Sequence, residues 1–377
     1  FPPAENIAAQ CDFTEFEESG VLPGDRCLRH VESAEETAVL IATEFLNVAA
    51  TAGFLREAEK VPAADYGALV PDPVNEERLR NVEHSFHSFQ SLYDNYLYNT
   101  DIENSDRTLP NLRGHISVVF HLLEAGMQLI HFYERHVLFA APGNAIQETC
   151  PLDLGRLLEV TFGYIVRYAC RYLDVARGLC QRTLAKYSIR TSVELPIPQY
   201  RGFHVRPATM IAKIAHHYGS ALSMELMGQR YDAGSPLELF RANESINALK
   251  RRRIGEKVAA VDIPPQISSP ADACALVRSV ALRLAERGDL VIYEHPLPIR
   301  EQMPDEGETV QEFVIDEIRR LLALGKVDLS VPMVATFTGD TRAVEDLKLL
   351  ATNGYGEDRM GRNVPLPDRL CYMRAGR

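Results

Sequence analysis

The chemically informative part of the sequence is a nine-residue segment, residues 201–209, which reads RGFHVRPAT. A strand-like stretch precedes it, and apolar residues at helical spacing begin directly after His204. This order predicts that His204 lies at the amino end of a helix, where the first backbone N–H groups have no partner within the helix. Those N–H groups and the positive end of the helix dipole both attract anions. The segment therefore predicts an anion site beside a histidine.

The residue types around this site suit phosphoryl transfer. A ring nitrogen of an imidazole can attack phosphorus near neutral pH without a separate base. Arg206 offers a planar fork of donors that fits phosphoryl oxygens, and Pro207 loses no hydrogen bond in a first helical turn. Because phosphoryl transfer needs mainly positioning and charge stabilisation, we predict that His204 accepts a phosphoryl group with help from Arg206. A purely structural helix-capping histidine is the alternative.

The residues that follow predict a small α/β unit around this site. The expected order is helix, strand, two-residue turn, strand and helix, at residues 207–218, 221–227, 228–229, 230–233 and from 235 onward. Gly228-Gln229 has the composition of a tight hairpin turn. Ser235 and Glu238 have the spacing of a capping box, with Pro236 in the first turn of the helix.

Residues 202–209 closely resemble the active-site motif of HPr, the histidine-containing phosphocarrier of the bacterial sugar phosphotransferase system, and the resemblance extends over residues 193–250. It implies an open-faced α/β sandwich in which His204 receives a phosphoryl group from Enzyme I and passes it to an acceptor protein. It also implies that the Arg206 side chain and the backbone amides of Val205 and Arg206 bind the phosphoryl group. Ser235 aligns with the serine that is phosphorylated for regulation in some members of the family.

Three positions depart from the family pattern. Phe203 stands where an aliphatic residue is usual, and Val205 stands where a small residue is usual. We expect the branched side chain of Val205 to crowd the phosphoryl group. Pro236 directly after Ser235 is atypical. A helix cap explains Ser235 without regulation, so we predict a capping role and keep regulatory phosphorylation as the alternative.

Two segments compete to complete this unit with one more strand and one more helix. Residues 331–340, followed by a helix at 341–352, would make residues 251–325 a large insertion. A strand at 257–263, followed by a helix at 271–287, would instead make the rest of the chain a C-terminal extension. We favour the insertion because Thr338-Gly339-Asp340 resembles the expected turn. Within the intervening sequence we predict a strand at 289–293 and a helix at 309–324.

The first half of the chain is helical in pattern. Apolar residues recur at helical spacing in four stretches, near residues 34–60, 76–100, 110–139 and 152–187. Long amphipathic helices with short connections favour an antiparallel bundle. The residue pattern changes near residue 189, where a short β-branched stretch begins that Pro196 and Pro198 interrupt. We therefore predict an all-α bundle at residues 1–188 and an HPr-like α/β domain with its insertion at residues 189–377.

Two stripes of polar residues on the predicted helices are the other candidate site. The first carries His84 and His87, and the second carries His121, Glu124 and His131. Facing each other across a bundle, they could bind a metal or form a second phosphohistidine site. However, the Glu-x-x-His repeat of di-iron bundles is missing, and both stripes lie opposite the apolar faces. We predict solvated faces, no metal site and no cofactor.

Composition narrows the class of partner. The chain has 377 residues, a formal net charge of −12 and seven scattered cysteines without a C-x-x-C pair. The acidic balance argues against nucleic acid and anionic membranes, and unpatterned cysteines are typical of a reducing cytoplasm. No signal peptide and no apolar run of 18 or more residues is seen, so we expect a cytoplasmic protein that does not cross a membrane. Lys250-Arg251-Arg252-Arg253 is interpreted as the cationic last turn of a helix.

These observations favour a phosphocarrier-like or regulatory protein of the phosphotransferase type, a phosphoryl acceptor more than a true enzyme. Its expected partners are a donor protein such as Enzyme I and an acceptor protein, and a homodimer through the helical domain stays open. The alternative is a scaffold or sensor that uses a degenerate HPr-like module only to bind proteins. An enzyme with its own small-molecule chemistry lacks a convincing set of residues in the sequence.

Overall fold

The computed structural model describes residues 33–138, 152–329 and 331–374, and these form a mixed α+β protein in which helices predominate. A four-stranded antiparallel sheet and a two-stranded one follow the helical first half. Buried apolar side chains form three clusters, which lie within residues 38–184, 195–373 and 254–331. The first cluster ends and the second begins on either side of residue 189.

Helices occupy the four predicted places in the first half. The α-helices are α1 (Ala34–Thr51), α2 (Gly53–Glu59), α3 (Glu76–Tyr96), α4 (Asp101–Ser105), α5 (Thr108–Tyr133), α6 (Leu154–Leu158) and α7 (Arg167–Tyr187). Two π-helical segments, Glu134–Leu138 and Glu159–Val166, extend α5 and join α6 to α7. Polar side chains start several of these helices. Asn75, for example, accepts a hydrogen bond of 2.9 Å from the backbone N–H of Arg78 and so caps α3.

Aromatic packing holds the helical half together. Phe45 of α1 meets Phe86 of α3 edge to face, with ring centroids 5.3 Å apart, and both side chains are fully buried. Phe89 lies one turn further along α3, 5.5 Å from Phe86. Burying each ring stabilises the fold by about 1.5–3 kcal/mol. The buried face of α3 consists of Leu79, Val82, Phe86, Phe89 and Tyr93, whereas Tyr96 at the end of this helix is exposed.

One helical stretch among the described residues, Thr108–Leu138, is long and apolar enough to cross a membrane by length and composition alone. The pair α1 and α2 meets the same test only when the two helices, bent by 50°, are taken as one span. The buried positions of α5, such as Leu112, Ile116 and Leu123, lie in the same core cluster as Phe45 and Phe86. This packing is compatible with a soluble protein.

The second half begins with the predicted α/β order. It consists of β1 (Arg190–Pro196), α8 (Val205–Tyr218), β2 (Ser223–Leu226), β3 (Gln229–Asp232) and α9 (Pro236–Ala259). The hairpin turn differs from the prediction by one residue. Leu226 pairs with Gln229, so Met227 and Gly228 are the turn residues, with φ angles of 52° and 75°. Positive φ at both central residues is the geometry that matches the twist of paired strands.

The predicted capping box at the start of α9 is wrong. Ser235 occupies the N-cap position, but its side chain accepts no hydrogen bond from the first turn. Glu238 pairs instead with Arg241 at 2.6 Å. The side chain of Asp232 accepts a hydrogen bond of 2.9 Å from the N–H of Gly234, so a local turn at the end of β3 shapes the entry into the helix.

The helix α9 also runs further than predicted. It continues unbroken to Ala259, so the strand predicted at 257–263 is wrong and Lys250 lies in mid-helix instead of in a last turn. The reason is tertiary: Ile254 and Val258 are fully buried in the third core cluster. That cluster is built from α10 (Pro270–Glu286), β4 (Leu290–Ile292), α11 (Val310–Ala323) and β5 (Val327–Leu329). We call residues 260–333 the inserted unit.

The later of the two candidate segments completes the sheet. β6 (Val334–Asp340) pairs antiparallel with β1 and with β2, and α12 (Thr341–Thr352) follows at the predicted residues. The strand order is β1-β6-β2-β3. Met224, Leu226 and Tyr231 of the hairpin are buried in the cluster that also contains side chains of α8, α9 and α12. One face of the sheet is therefore packed against these three helices.

Candidate functional site

His204 is the N-cap residue of α8, which begins at Val205 as the sequence predicts. The turn that delivers it from β1 is tightly bent, because Arg201 and Gly202 both have positive φ angles, 52° and 63°. A Cβ atom on Gly202 would overlap the side-chain oxygen of Asn243, so only glycine fits there. A non-glycine residue such as Arg201 in this conformation is strained, and such strain is concentrated at functional sites.

Asn243 of α9 holds this turn in place. Its side-chain oxygen accepts a hydrogen bond of 3.0 Å from the N–H of Phe203, and its amide group donates to the carbonyl of Arg201 at 3.1 Å. Phe203 is fully buried and meets Phe337 of β6 edge to face. The aromatic residue that departs from the HPr pattern is therefore a core residue that anchors the loop under His204.

Both ring nitrogens of His204 face hydrogen-bond acceptors. Nδ1 lies 3.2 Å from the carbonyl oxygen of Gly202, and Nε2 lies 3.1 Å from a carboxylate oxygen of Glu357. The Tyr200 ring meets the imidazole edge to face at 5.3 Å. The side chain of His204 is 23 % exposed, so solvent and small molecules reach it. Its two contacts can both be hydrogen bonds only when both nitrogens carry hydrogen.

Glu357 is a functional candidate that the sequence reasoning missed. It lies on a short hairpin after α12, residues 354–364, which we call the C-terminal hairpin, and a bridge between Glu357 and Asn363 closes it. The Glu357 side chain is only 8 % exposed. A short 3-10 turn, Gly354–Gly356, forms the start of this hairpin. The hydroxyl of Tyr355 donates to the carbonyl of Pro196 at 2.7 Å and so ties the hairpin to β1.

Arg206 lies beside the same carboxylate. Its Nε is 3.9 Å from Glu357, and its guanidinium donates a hydrogen bond to Asn363 of the C-terminal hairpin. The Nε atom is buried and finds no hydrogen-bond acceptor among the described residues. A carboxylate thus already lies between the imidazole and the guanidinium, which marks this position as suited to an anion.

Val205 and the first-turn amides complete the helix end. The Val205 side chain is 68 % exposed, so it projects mainly into solvent. The backbone N–H groups of Val205 and Arg206 belong to the first turn of α8, where intrahelical acceptors are missing. Ser235, the fourth predicted site residue, makes no side-chain cap at α9. The structure thus brings His204, Val205 and Arg206 together and adds Glu357 to them.

The inserted unit borders the site on another side. Asp328 of β5 accepts hydrogen bonds from the N–H of Arg201 at 3.2 Å and from the amino group of Lys250 at 2.6 Å. The side chains of Lys250 and Asp328 are each only 3 % exposed, so their charges compensate each other out of solvent. Tyr293 lies between Asp328 and Tyr200, and its burial raises the pKa of its hydroxyl, which stays protonated.

The histidine stripes of the helical half make separate small contacts. His84 and His87 stack at 6.5 Å, His121 lies 3.3 Å from Glu124, and His131 lies 2.7 Å from Glu76. Within residues 33–138, 152–329 and 331–374, no group of three or more His, Cys, Asp or Glu side chains could hold a metal ion. Four cysteines of this part (Cys170, Cys180, Cys274, Cys371) are free thiols, whereas Cys11, Cys27 and Cys150 lie outside the described residues.

Comparisons of this chain with protein-family models, with curated proteins and with solved structures give no match.

Proposed function

We propose that this chain accepts a phosphoryl group on His204, as a phosphocarrier or regulatory protein of HPr type. The observation that carries the proposal is the position of His204 as the N-cap of α8, with the first-turn amides and Arg206 beside it. The strand order β1-β6-β2-β3 and the α8, α9 and α12 helices on one face support an open-faced sandwich of the HPr kind. The inserted unit interrupts that sandwich between α9 and β6.

Glu357 assigns roles to the two ring nitrogens. When Nε2 carries the proton and donates a hydrogen bond to Glu357, the lone pair lies on Nδ1 and is available to attack phosphorus. In the described conformation Nδ1 faces the Gly202 carbonyl, so the ring must turn away from this oxygen before the attack. The N–P bond then forms while the bond between phosphorus and the donor breaks. The positive charge that develops on the imidazole is stabilised by Glu357, as a carboxylate stabilises the histidine of a hydrolase triad.

The transferred group meets donors that are already oriented. The N–H groups of Val205 and Arg206 point out of the helix end, and the guanidinium of Arg206 supplies a positive charge. To pair with the phosphoryl oxygens, that guanidinium leaves Asn363 and the carboxylate of Glu357. The C-terminal hairpin therefore holds Arg206 ready in the resting state and releases it on phosphorylation.

The partners that follow are proteins. A donor such as phosphorylated Enzyme I and an acceptor protein would meet His204 at the exposed surface around Val205. We propose that the protein acts in the cytoplasm. We also propose a regulatory role, because a carrier for bulk sugar transport gains little from a helical half and an inserted unit. The acidic net charge of −12 disfavours nucleic acid as a partner.

Labelling with phosphoenolpyruvate and Enzyme I tests the proposal. The parent chain should take up one acid-labile, base-stable phosphate, and His204→Ala should take up none. The matched control is His216→Ala, since His216 lies exposed on the same helix and makes no part of the site. Absence of label in the parent chain, or label that persists in His204→Ala, would overturn the proposal.

A second candidate function has one observation in its favour. Glu357 occupies the position between His204 and Arg206 with its own carboxylate, as a phosphoryl group would. A module that is permanently closed in this way would serve as a scaffold or sensor that binds proteins without phosphorylation. It would stay unlabelled, and its partner would bind His204→Ala and the parent chain equally well.

A further inference from the structure

A cavity of about 180 Å³ borders His204 on the side of the inserted unit. Its walls come from the turn before α8, from α9, and from the connection between α11 and β5. The polar residues on its surface are Arg201, His204, Asn243, Asn247 and Asp328. Glu357 is not among the lining residues, so the cavity and the Glu357 carboxylate are separate neighbours of the imidazole.

The charge of this cavity favours an anion. Asp328 contributes little net negative charge, because the buried amino group of Lys250 lies 2.6 Å from it and two backbone N–H groups also donate to it. Arg201 and His204 are then the groups that can present positive charge to a ligand. An anion in this partly enclosed space would be screened less by water than an anion at the surface.

The guanidinium of Arg201 is fixed by contacts within the chain, but not all of its hydrogen-bond donors have an acceptor among the described residues. Its guanidinium lies over the rings of Tyr200 and Tyr293, at 5.0 Å and 5.9 Å from their centres, and donates to the carbonyl of Gly325. Its Nε atom is buried and has no acceptor among the described residues. Buried donors are normally paired, so the Arg201 guanidinium keeps hydrogen-bonding capacity that its contacts in the described part of the chain do not use.

The remaining walls indicate hydroxyl groups on the ligand. Asn247 lines the cavity, and its amide group makes one long hydrogen bond, 3.3 Å, to Glu244. The side-chain oxygen of an asparagine accepts a hydrogen bond from a hydroxyl group. The volume is below the roughly 300–1,000 Å³ of sites for drug-sized ligands, so the ligand is a smaller metabolite.

We propose that this cavity binds a small phosphate monoester with hydroxyl groups, which exchanges its phosphoryl group with Nδ1 of His204. The proposal rests on the proposed function of His204. In the forward step Nδ1 attacks phosphorus, the N–P bond forms, the ester P–O bond breaks, and the released alkoxide takes a proton from solvent. In the reverse step a hydroxyl group of the bound alcohol attacks phosphohistidine and gives its proton to solvent.

Calorimetric titration of the full chain tests the binding half, with glycerol 3-phosphate as the probe and with glycerol and inorganic phosphate as comparisons. We expect glycerol 3-phosphate to bind more tightly than either comparison. Asn247→Leu should weaken it by about threefold to tenfold, the loss of one or two hydrogen bonds. Asn81→Leu, an exposed asparagine of α3, is the matched control and should bind like the parent chain. Failure to bind the probe, or equal binding by the two variants, would overturn the proposal.

Transfer is followed with the chain labelled on His204 and then mixed with glycerol. The label should appear in a glycerol phosphate, more slowly in Asn247→Leu than in Asn81→Leu. The two proposals fail in different ways. If His204 is labelled by Enzyme I but neither binding nor transfer depends on Asn247, only the cavity proposal is wrong. If glycerol 3-phosphate binds in an Asn247-dependent way but His204 never carries label, the phosphoryl-acceptor function is wrong.

Discussion

Two histidine–glutamate pairs in this molecule have similar contacts and different surroundings. His204 lies 3.1 Å from Glu357 in the sheet-containing half, and His131 lies 2.7 Å from Glu76 in the helical half. Both carboxylates are largely buried. By the pair distance alone, His131 would be the better candidate for a histidine activated by a carboxylate.

The helix ends separate the two pairs. His204 itself caps the amino end of α8, where free N–H groups attract anions, whereas His131 lies inside the continuous helical stretch Thr108–Leu138 and its partner Glu76 occupies the first turn of α3. Glu76 also has two further cationic neighbours, Arg80 and Arg135. The pair in the helical half is thus a structural ion cluster, and we expect phosphoryl transfer only at the histidine that itself lies at a helix amino end.

The largest expected effect concerns the arginine that lies beside each histidine–glutamate pair, Arg206 in one half and Arg135 in the other. Arg206→Ala should slow the labelling of His204 by about a hundredfold, because the loss of one donor to the charged transition state typically costs that much. Arg135→Ala, next to Glu76, should label at the parent rate. Initial rates of label uptake at fixed Enzyme I concentration measure both, with circular dichroism to show that each variant is folded. Equal rates in the two variants would remove the distinction drawn between the two sites.

A smaller effect is expected from the carboxylates. Glu357→Gln should lower the labelling rate about tenfold, since the amide no longer fixes the proton on Nε2 or stabilises the charged ring. The amount of phosphate at the end point should stay at one per chain. Glu76→Gln serves as the matched change in the helical half and should leave the rate unchanged. A faster rate in Glu357→Gln would instead identify Glu357 as a group that only blocks the site.

The ionised Glu76 carboxylate should stabilise the folded protein at pH values above the ordinary pKa of this group. The hydrogen bond from His131, together with the charges of His131, Arg80 and Arg135, holds the pKa of Glu76 below its ordinary value of 4.5. A carboxyl with a lowered folded-state pKa stabilises the protein above the ordinary pKa, and this contribution is lost as the pH falls through the folded-state value. The parent chain should therefore exceed Glu76→Gln in unfolding free energy at about pH 5.5, and the difference should shrink toward about pH 3. Urea unfolding at both pH values measures it, and a difference independent of pH would contradict the ion-cluster assignment.

The contrast between the two halves also shows what sequence patterns report. Helices and their starts are encoded locally, so the four helical stretches, the helix start after His204 and the helix at 341–352 were predictable. Contacts between distant segments are not encoded in that way. Glu357 is 153 residues from His204, and the buried Lys250–Asp328 pair spans 78 residues. Only the folded chain brings these groups together.

Two predictions made from local sequence failed because contacts with other segments of the chain decided the structure. The turn of the β2–β3 hairpin uses Met227 with Gly228, since the strand register places Gln229 opposite Leu226. Lys250-Arg251-Arg252-Arg253 was predicted as a cationic last turn, but α9 continues to Ala259 because Ile254 and Val258 are buried in the third core cluster. In both cases tertiary packing overrides a signal read from composition.

The smallest expected effect compares two helix starts, one in each half. Asn75 caps α3 through a hydrogen bond of 2.9 Å, so Asn75→Ala should cost about 1 kcal/mol of unfolding free energy. Ser235 has the same N-cap position at α9 but accepts no such bond, so Ser235→Ala should change stability by less than about 0.5 kcal/mol. Urea unfolding of both variants beside the parent chain provides the measurement. A loss near 1 kcal/mol in Ser235→Ala would mean that its hydroxyl does cap α9 in solution, and the sequence-based capping box would then be restored. With a negligible loss, the hydroxyl has no capping role at this helix start, and regulatory phosphorylation of Ser235 stays the alternative to be tested.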